Sequence, residues 1–389
     1  MKPMIALAVL SFASAAFAVP FKGSNDPKFF NAVTKSPINT NFAALPLEGK
    51  LHDTTLGWSE TYWPSNVGGI AYRWNSKDPQ PFKYKLLTKA EVMNASQAQL
   101  SELSPAELYD IAMGDYSYSL TKKVLGSVKP TDLWWEGICH GWSQAASNYS
   151  EPEQVVVTNK DGVKVPFGSS EVKGLLAMHD AYNSKGTFVR VGDRCDVRGK
   201  VAGEESEEDG PIKPPSAADA NKDKCADVNA GAFHVVITNM IGINSQGFVA
   251  DVDRFNDVWN QPVREYSSQI AGEEAVTAQE AKRGVKSKLR IKTKMTYGEE
   301  LSYYTPELEA EGEIGFVSKE PVTNTVHQVN RAKDYEYVIE IDVNGKIIGG
   351  TWISETRPDM LWTKKKDAKF LNGKFPLAGL NVIYKPVVH

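Results

Sequence analysis

Cysteine and histidine are scarce in this chain of 389 residues, with three of the first and six of the second. No CxxC pair, zinc motif or phosphate-cradling glycine loop occurs, which excludes the usual metal-ribbon and nucleotide-binding signatures. No long apolar run approaches the roughly 20 residues that a membrane-spanning helix needs. The apolar stretch from Ile5 to Phe17 follows Lys2 and ends in Ala16-Phe17-Ala18, so residues 1–18 read as a bacterial-style secretory signal with the mature chain starting at Val19. No cysteine adjoins that cleavage site, which argues against a lipid anchor. A basic stripe is missing too: the net charge of −4 is spread along the chain, and nucleic acid is not an expected partner.

The hydrophobic content of 41% argues for a packed core rather than disorder. Residues 19–86 are rich in Pro, Asn, Trp and Tyr without sustained periodicity, and read as an irregular N-terminal region anchored by aromatics. Helices are expected from about Leu87. Ser104-Pro105-Ala106-Glu107 supplies an N-cap, a first-turn proline and a capping-box acid, and that helix is expected to end by Gly126 to Pro130. Further helices are predicted from Cys139 and over about 170–184. Strands are predicted at Phe188 to Val191, Phe233 to Met240 and Gly247 to Val252. Beyond Ser267 the pattern turns to β, with Leu289, Ile291 and Thr293 alternating against charged residues. Val338 to Ile348 reads as a hairpin turning on Asn344-Gly345. Helices first and strands afterwards imply an α+β fold, with a core over 87–270 and a β-rich region over 271–389.

An odd cysteine count in an exported protein points to one bridge and one free thiol. Cys195 and Cys225 flank a single acidic, proline-rich excursion and are the natural pair. Closing that loop of about 30 residues would contribute roughly 3–4 kcal/mol through the unfolded state. Cys139 is left over. In Trp134-Trp135-Glu136-Gly137-Ile138-Cys139-His140-Gly141-Trp142 it opens a predicted helix. The positive end of the helix dipole and free N–H groups there favour a thiolate and can hold an oxyanion. The bland alternative is a buried structural cysteine.

A thiolate nucleophile needs a base. His140 is adjacent in sequence, but neighbouring helical side chains diverge by about 100°. His52, His327 and His389 fall in irregular, polar or terminal settings, and His179, on a helix beside Asp180, reads as a surface or packing residue. His234 opens an apolar run and is the expected base, against the reading of a satisfied core histidine. Asp251 is the expected third member, with Asp253 as fallback. The order Cys…His…Asp resembles both transglutaminases and papain-like peptidases.

Val258-Trp259-Asn260-Gln261-Pro262-Val263-Arg264 matches the core of the short peptide that marks the transglutaminase elicitor family of oomycete cell walls. Tyr62-Trp63-Pro64, the CHGW around Cys139, Gly231-Ala232-Phe233-His234 and Gly349-Gly350-Thr351-Trp352 are similar to the same family. The resemblance runs from about Thr61 to Trp362. It implies a papain- or transglutaminase-like cysteine core and acyl transfer from protein glutamine to lysine or another primary amine, with Cys139 carrying the thioester. Proteins or peptides would then be the substrates.

The chemistry itself requires no cofactor, while the resemblance brings in calcium as an activator. Asp219-Ala220-Asn221-Lys222-Asp223 begins like a calcium loop but lacks the following glycine and the acidic twelfth position. Two rivals stand beside acyl transfer. One is a cysteine peptidase or amidase using the same triad. The other is a non-catalytic wall-binding protein gripping its ligand through Trp58, Trp63, Trp74 and Trp259.

Overall fold

The computed structural model describes residues 19–21, 23–76, 80–193, 227–252, 258–301 and 329–387. The secretory signal, Cys195, Cys225, the Asp219–Asp223 segment, Asp253, His327 and His389 lie outside the described residues, and so does the expected disulfide.

The chain opens with β1 (Val19–Pro20), β2 (Glu48–Lys50) and β3 (Glu60–Thr61), linked by short 3₁₀ turns. Four helices follow: α1 (Lys89–Asn94), α2 (Gln97–Leu100), α3 (Pro105–Ala112) and α4 (Ser119–Leu125). Next come α5 (Cys139–Asn148), the hairpin β4 (Val155–Thr158) and β5 (Lys164–Phe167), α6 (Ser169–Tyr182) and β6 (Phe188–Gly192). After α7 (Ala230–Ile237) come β7 (Phe248–Asp251), β8 (Asn260–Glu274), α8 (Ala278–Lys282), β9 (Ser287–Gly298) and β10 (Glu300–Leu301). The last strands are β11 (Asn330–Ile341), β12 (Ile347–Trp352) and β13 (Met360–Lys364).

Local chemistry sets most of these boundaries. Ser104 and Glu107 close a capping box at the start of α3, with Pro105 in its first turn. The helical stretch expected to run on to Gly126 is two helices. Gly114 takes a left-handed φ of 68°, and the Asp110 carboxylate accepts the Leu120 and Thr121 amides that open α4. Asn344-Gly345 turns β11 into β12 with Gly345 at φ 75°.

The predicted strand from Phe233 to Met240 is instead helix α7, continued by a π-helical turn over Thr238–Ile243. Asn229 caps it, accepting the Gly231 and Ala232 amides. Every residue from Ala230 to Ile237 is buried, so no polar stripe exists to mark the helical period.

One antiparallel sheet organises the molecule in the order β1-β12-β11-β9-β8-β7-β13-β6, with β2 added beside β8. β3 pairs with β10 in a separate parallel ribbon. Alternation along the strands divides the sheet into two faces. Phe248, Ala250, Leu361, Ile291, Tyr337 and Ile339 join α7 in one core. Val249, Met360 and Trp362 point the other way, and with them Asp251 and Asn260, which face each other in the β7–β8 register. On that second side α5 packs on β7 and β8, in front of the helical core built from α3 to α6.

Trp58, Trp63 and Trp74 are buried in this helical core, and Trp259 is half-buried. Three of the four aromatics considered as a ligand grip are therefore packing residues.

Candidate active site

Cys139 is the first residue of α5, half-buried, and a free thiol among the described residues. The approach to it is fixed from behind. The Ile138 amide donates to the Tyr62 carbonyl at 2.7 Å, and a Cβ on Gly137 would stand 2.4 Å from that same oxygen. Only glycine lets the loop come this close. Trp142, one turn on, is fully buried and donates to the Trp58 carbonyl at 3.1 Å, so it holds the helix rather than facing a substrate. Trp134 is exposed and Trp135 half-buried.

The sulfur sits over the start of β8. Asn260 Nδ2 approaches Cys139 Sγ at 3.9 Å, and the amide oxygen of Asn260 accepts from Trp362 Nε1 at 2.8 Å. Asp251, directly across from Asn260, accepts the Trp259 amide at 2.9 Å. Burial pushes the thiol up to about 12; the charges of Glu300 and Asp251 add to this, while Asn260 and the His140 amide oppose it. The resting thiol is therefore neutral. Glu300 is itself raised to about 8 by burial and by Glu299.

A cavity of about 250 Å³ is lined by His140, Gln144, Asp180, Phe188, Asn260 and Trp362 among others, and Asn260 stands between it and the sulfur. Phe188 and Trp362 form an aromatic wall with ring centres 5.8 Å apart. The His140 ring packs edge-on against Tyr182, and burial and Lys364 hold its pKa down.

His234 is elsewhere. It lies on α7, on the opposite face of the sheet, with Nδ1 2.8 Å from the Tyr337 hydroxyl and its ring against Phe42. Among the described residues its Nε2 has no hydrogen-bond partner. Burial lowers its pKa to about 4. The sequence expectation of a Cys139–His234 pair thus meets a contrary geometry, because helix α7 packs on β11 and β12 while α5 packs on β7 and β8. Asp251 and Cys139 do share a face. His179 is a buried packing residue between Asp180 Oδ1 and the Leu371 amide. Among the described residues no group of three or more His, Cys, Asp or Glu could hold a metal ion.

A family model described as transglutaminase elicitor matches residues 121–372. The chain belongs to the transglutaminase elicitor family. Its fold is similar to that in the crystal structure of the GP42 transglutaminase from Phytophthora sojae. The TM-score is 0.60 and the identity 20%, covering 93% of this chain and 97% of that one. No curated protein matches.

In this member of the transglutaminase elicitor family the diagnostic peptide Val258–Arg264 is mostly interior. Asn260, Gln261, Pro262 and Val263 are buried, and the first two meet the site: Asn260 at the sulfur, and Gln261 through its side-chain oxygen, which accepts the Glu300 amide at 3.1 Å. Asn260, Trp362 and Glu300 are the site residues that reasoning from Cys, His and Asp alone passes over. The signal for Asn260 was present, in the middle of the peptide that carries the family resemblance.

Proposed function

We propose that the protein is an exported acyltransferase that forms a thioester between Cys139 and a protein glutamine and passes the acyl group to a primary amine. One observation carries this reading: a free cysteine opens α5 with its sulfur 3.9 Å from Asn260, a residue that lines a side-chain-sized cavity, in a chain of the transglutaminase elicitor family.

Sulfur attacks the carboxamide carbon and the carbonyl π pair moves to oxygen. The Cys139 and His140 amides at the helix start would receive that charge. Collapse breaks the C–N bond, and ammonia departs carrying the proton that the thiol gave up. A lysine or other primary amine then attacks the thioester, and its proton restores the thiol as the amide forms. Water in place of the amine gives the free acid. The aromatic wall of Phe188 and Trp362 suits the methylene stems of glutamine and lysine.

A specific observation favours a second reading, a silent thiol. No imidazole among the described residues bonds the sulfur, and the thiol stands near 12. A single assay separates the readings. Purified protein is given a fluorescent primary amine and a glutamine-bearing casein. Labelling of casein that is lost in Cys139→Ala supports transfer. Cleavage of casein without labelling supports a peptidase, and neither outcome between pH 6 and pH 10 supports the silent thiol.

A further inference from the structure

We infer that Asn260 is a catalytic residue whose side-chain amide completes the oxyanion site, and that Trp362 is the positioning residue that fixes which end of the amide faces the sulfur. The inference rests on the acyl-transfer reading above and names a part of its machinery.

An asparagine amide has a donor end and an acceptor end, and one buried contact decides which way it points. An indole N–H can only donate. Trp362 Nε1 lies 2.8 Å from Asn260 Oδ1, so the oxygen is committed to the indole and the NH₂ is turned toward Cys139 Sγ at 3.9 Å. Both residues are nearly inaccessible, at 5% and 7% relative exposure, which holds the pair in one arrangement. The backbone reinforces the placement. Asn260 begins β8 opposite Asp251, whose carboxylate accepts the amide of the preceding Trp259, and Asp251 is in turn registered to Met360, two residues before Trp362.

The NH₂ carries two hydrogens. One faces the sulfur, and the second is left for an oxygen of a bound acyl group. The amides of Cys139 and His140 at the helix start, the second of which already bonds the sulfur, supply further donors to the same reacting centre. When the carbonyl carbon becomes tetrahedral, its oxygen gains the negative charge that the sulfur loses. The same amide thus passes from stabilising the thiolate to stabilising the oxyanion. Donors fixed before reaction are worth most in a site closed to water.

The test is made on the full chain with Asn260→Ala, Asn260→Asp, Trp362→Phe and the Asn260→Ala/Trp362→Phe double variant. Two readouts are taken: kcat and KM for fluorescent-amine incorporation into casein, and the pH profile of Cys139 alkylation by iodoacetamide. Circular dichroism and the thermal midpoint establish folding.

Asn260→Ala is expected to lose about 10²-fold in kcat with KM within about threefold. Its alkylation profile moves to higher pH. Asn260→Asp is worse on both, since a carboxylate repels the thiolate and cannot donate. Trp362→Phe loses about tenfold, because the amide is freed to flip, and the double variant is no worse than Asn260→Ala alone.

A folded Asn260→Ala with kcat within threefold of the parent and an unmoved alkylation profile overturns the inference. Should Asn260→Ala not fold, a folded Trp362→Phe with both readouts unmoved overturns it equally. If the parent protein transfers no acyl group, the proposed function fails. The alkylation profile then decides Asn260 alone, in the same two directions.

Discussion

Glu300 faces Glu60 directly across the parallel pairing of β10 with β3, with Glu60 fully buried and Glu300 half-buried. Glu300 is also the first of the neighbouring charges that act on the Cys139 thiol. Glu300 therefore links the protonation of one carboxyl to the reactivity of one sulfur. Below about pH 8 Glu300 is neutral and adds no repulsion; above it, its charge opposes thiolate formation.

Glu300→Gln is accordingly expected to lower the thiol pKa. Parent and variant should be alkylated at similar rates at pH 7 and diverge above pH 8, with the variant about threefold to tenfold faster at pH 9.5, since one unit of pKa is tenfold in thiolate. Timed iodoacetamide labelling followed by mass spectrometry reads this. Superimposable profiles through pH 10 would remove Glu300 from the site.

Glu60 gives a stability prediction. Desolvation raises its carboxyl from 4.5 to about 7, with Lys173 acting in the opposite direction. The folded state holds the proton where the unfolded chain has already released it. The contribution is fully present below the unfolded value and is lost as pH rises through the folded one. At most about 3 kcal/mol disappears between pH 4.5 and pH 8. Urea unfolding at pH 5 and pH 8 should show a smaller fall in Glu60→Gln than in the parent, and an equal fall would refute it.

Features with a local cause were legible in the sequence: the capping box at Ser104, the hairpin at Asn344-Gly345, and the helix start that isolates Cys139. What was not legible depends on contacts distant in the chain. Phe233 to Met240 reads as a strand because burial on every side of the helix over Ala230–Ile237 erases the period that distinguishes it. His234 therefore looked like a strand-borne base when it is a helical core residue. Asn260 owes its orientation to Trp362, 102 positions away, and no local pattern encodes that pairing. Asp251 was found from its own strand, and the structure sets it opposite Asn260 and across the sheet from His234.

The placement of His234 is itself testable. Its pKa is lowered to about 4, so the folded state keeps it neutral where the unfolded imidazole would be protonated. Stability from this group is present above about 6.5 and is lost as pH falls through 4, by about 3 kcal/mol at most. His234→Phe keeps the ring volume between Phe42 and Tyr337 and should flatten the acid limb of stability between pH 7 and pH 4.5. The alkylation profile of Cys139 should not move. A displaced profile would mean that the imidazole reaches the sulfur after all.

Gly141 offers the last prediction, because it is where α5 meets α6. A Cβ there would stand 2.1 Å from the Ala177 carbonyl oxygen and 2.8 Å from the Ala181 methyl, so Gly141→Ala must push the two helices apart. Ile138 is tied to Tyr62 at 2.7 Å, which holds the loop before α5 while the helix behind it is displaced. The sulfur, one residue past that tie, should then tilt from Asn260, which belongs to the sheet and does not follow. The expected cost is about 1–3 kcal/mol of stability, together with at least a tenfold loss in amine incorporation. Gly162→Ala is the control. Its glycine has a φ of 85° and open space around it in the β4–β5 hairpin, so it should cost about 1 kcal/mol in backbone strain and leave turnover unchanged. Equal losses of activity in the two variants would trace the effect to general destabilisation. A loss confined to Gly141→Ala would tie turnover to the spacing of α5 over β8.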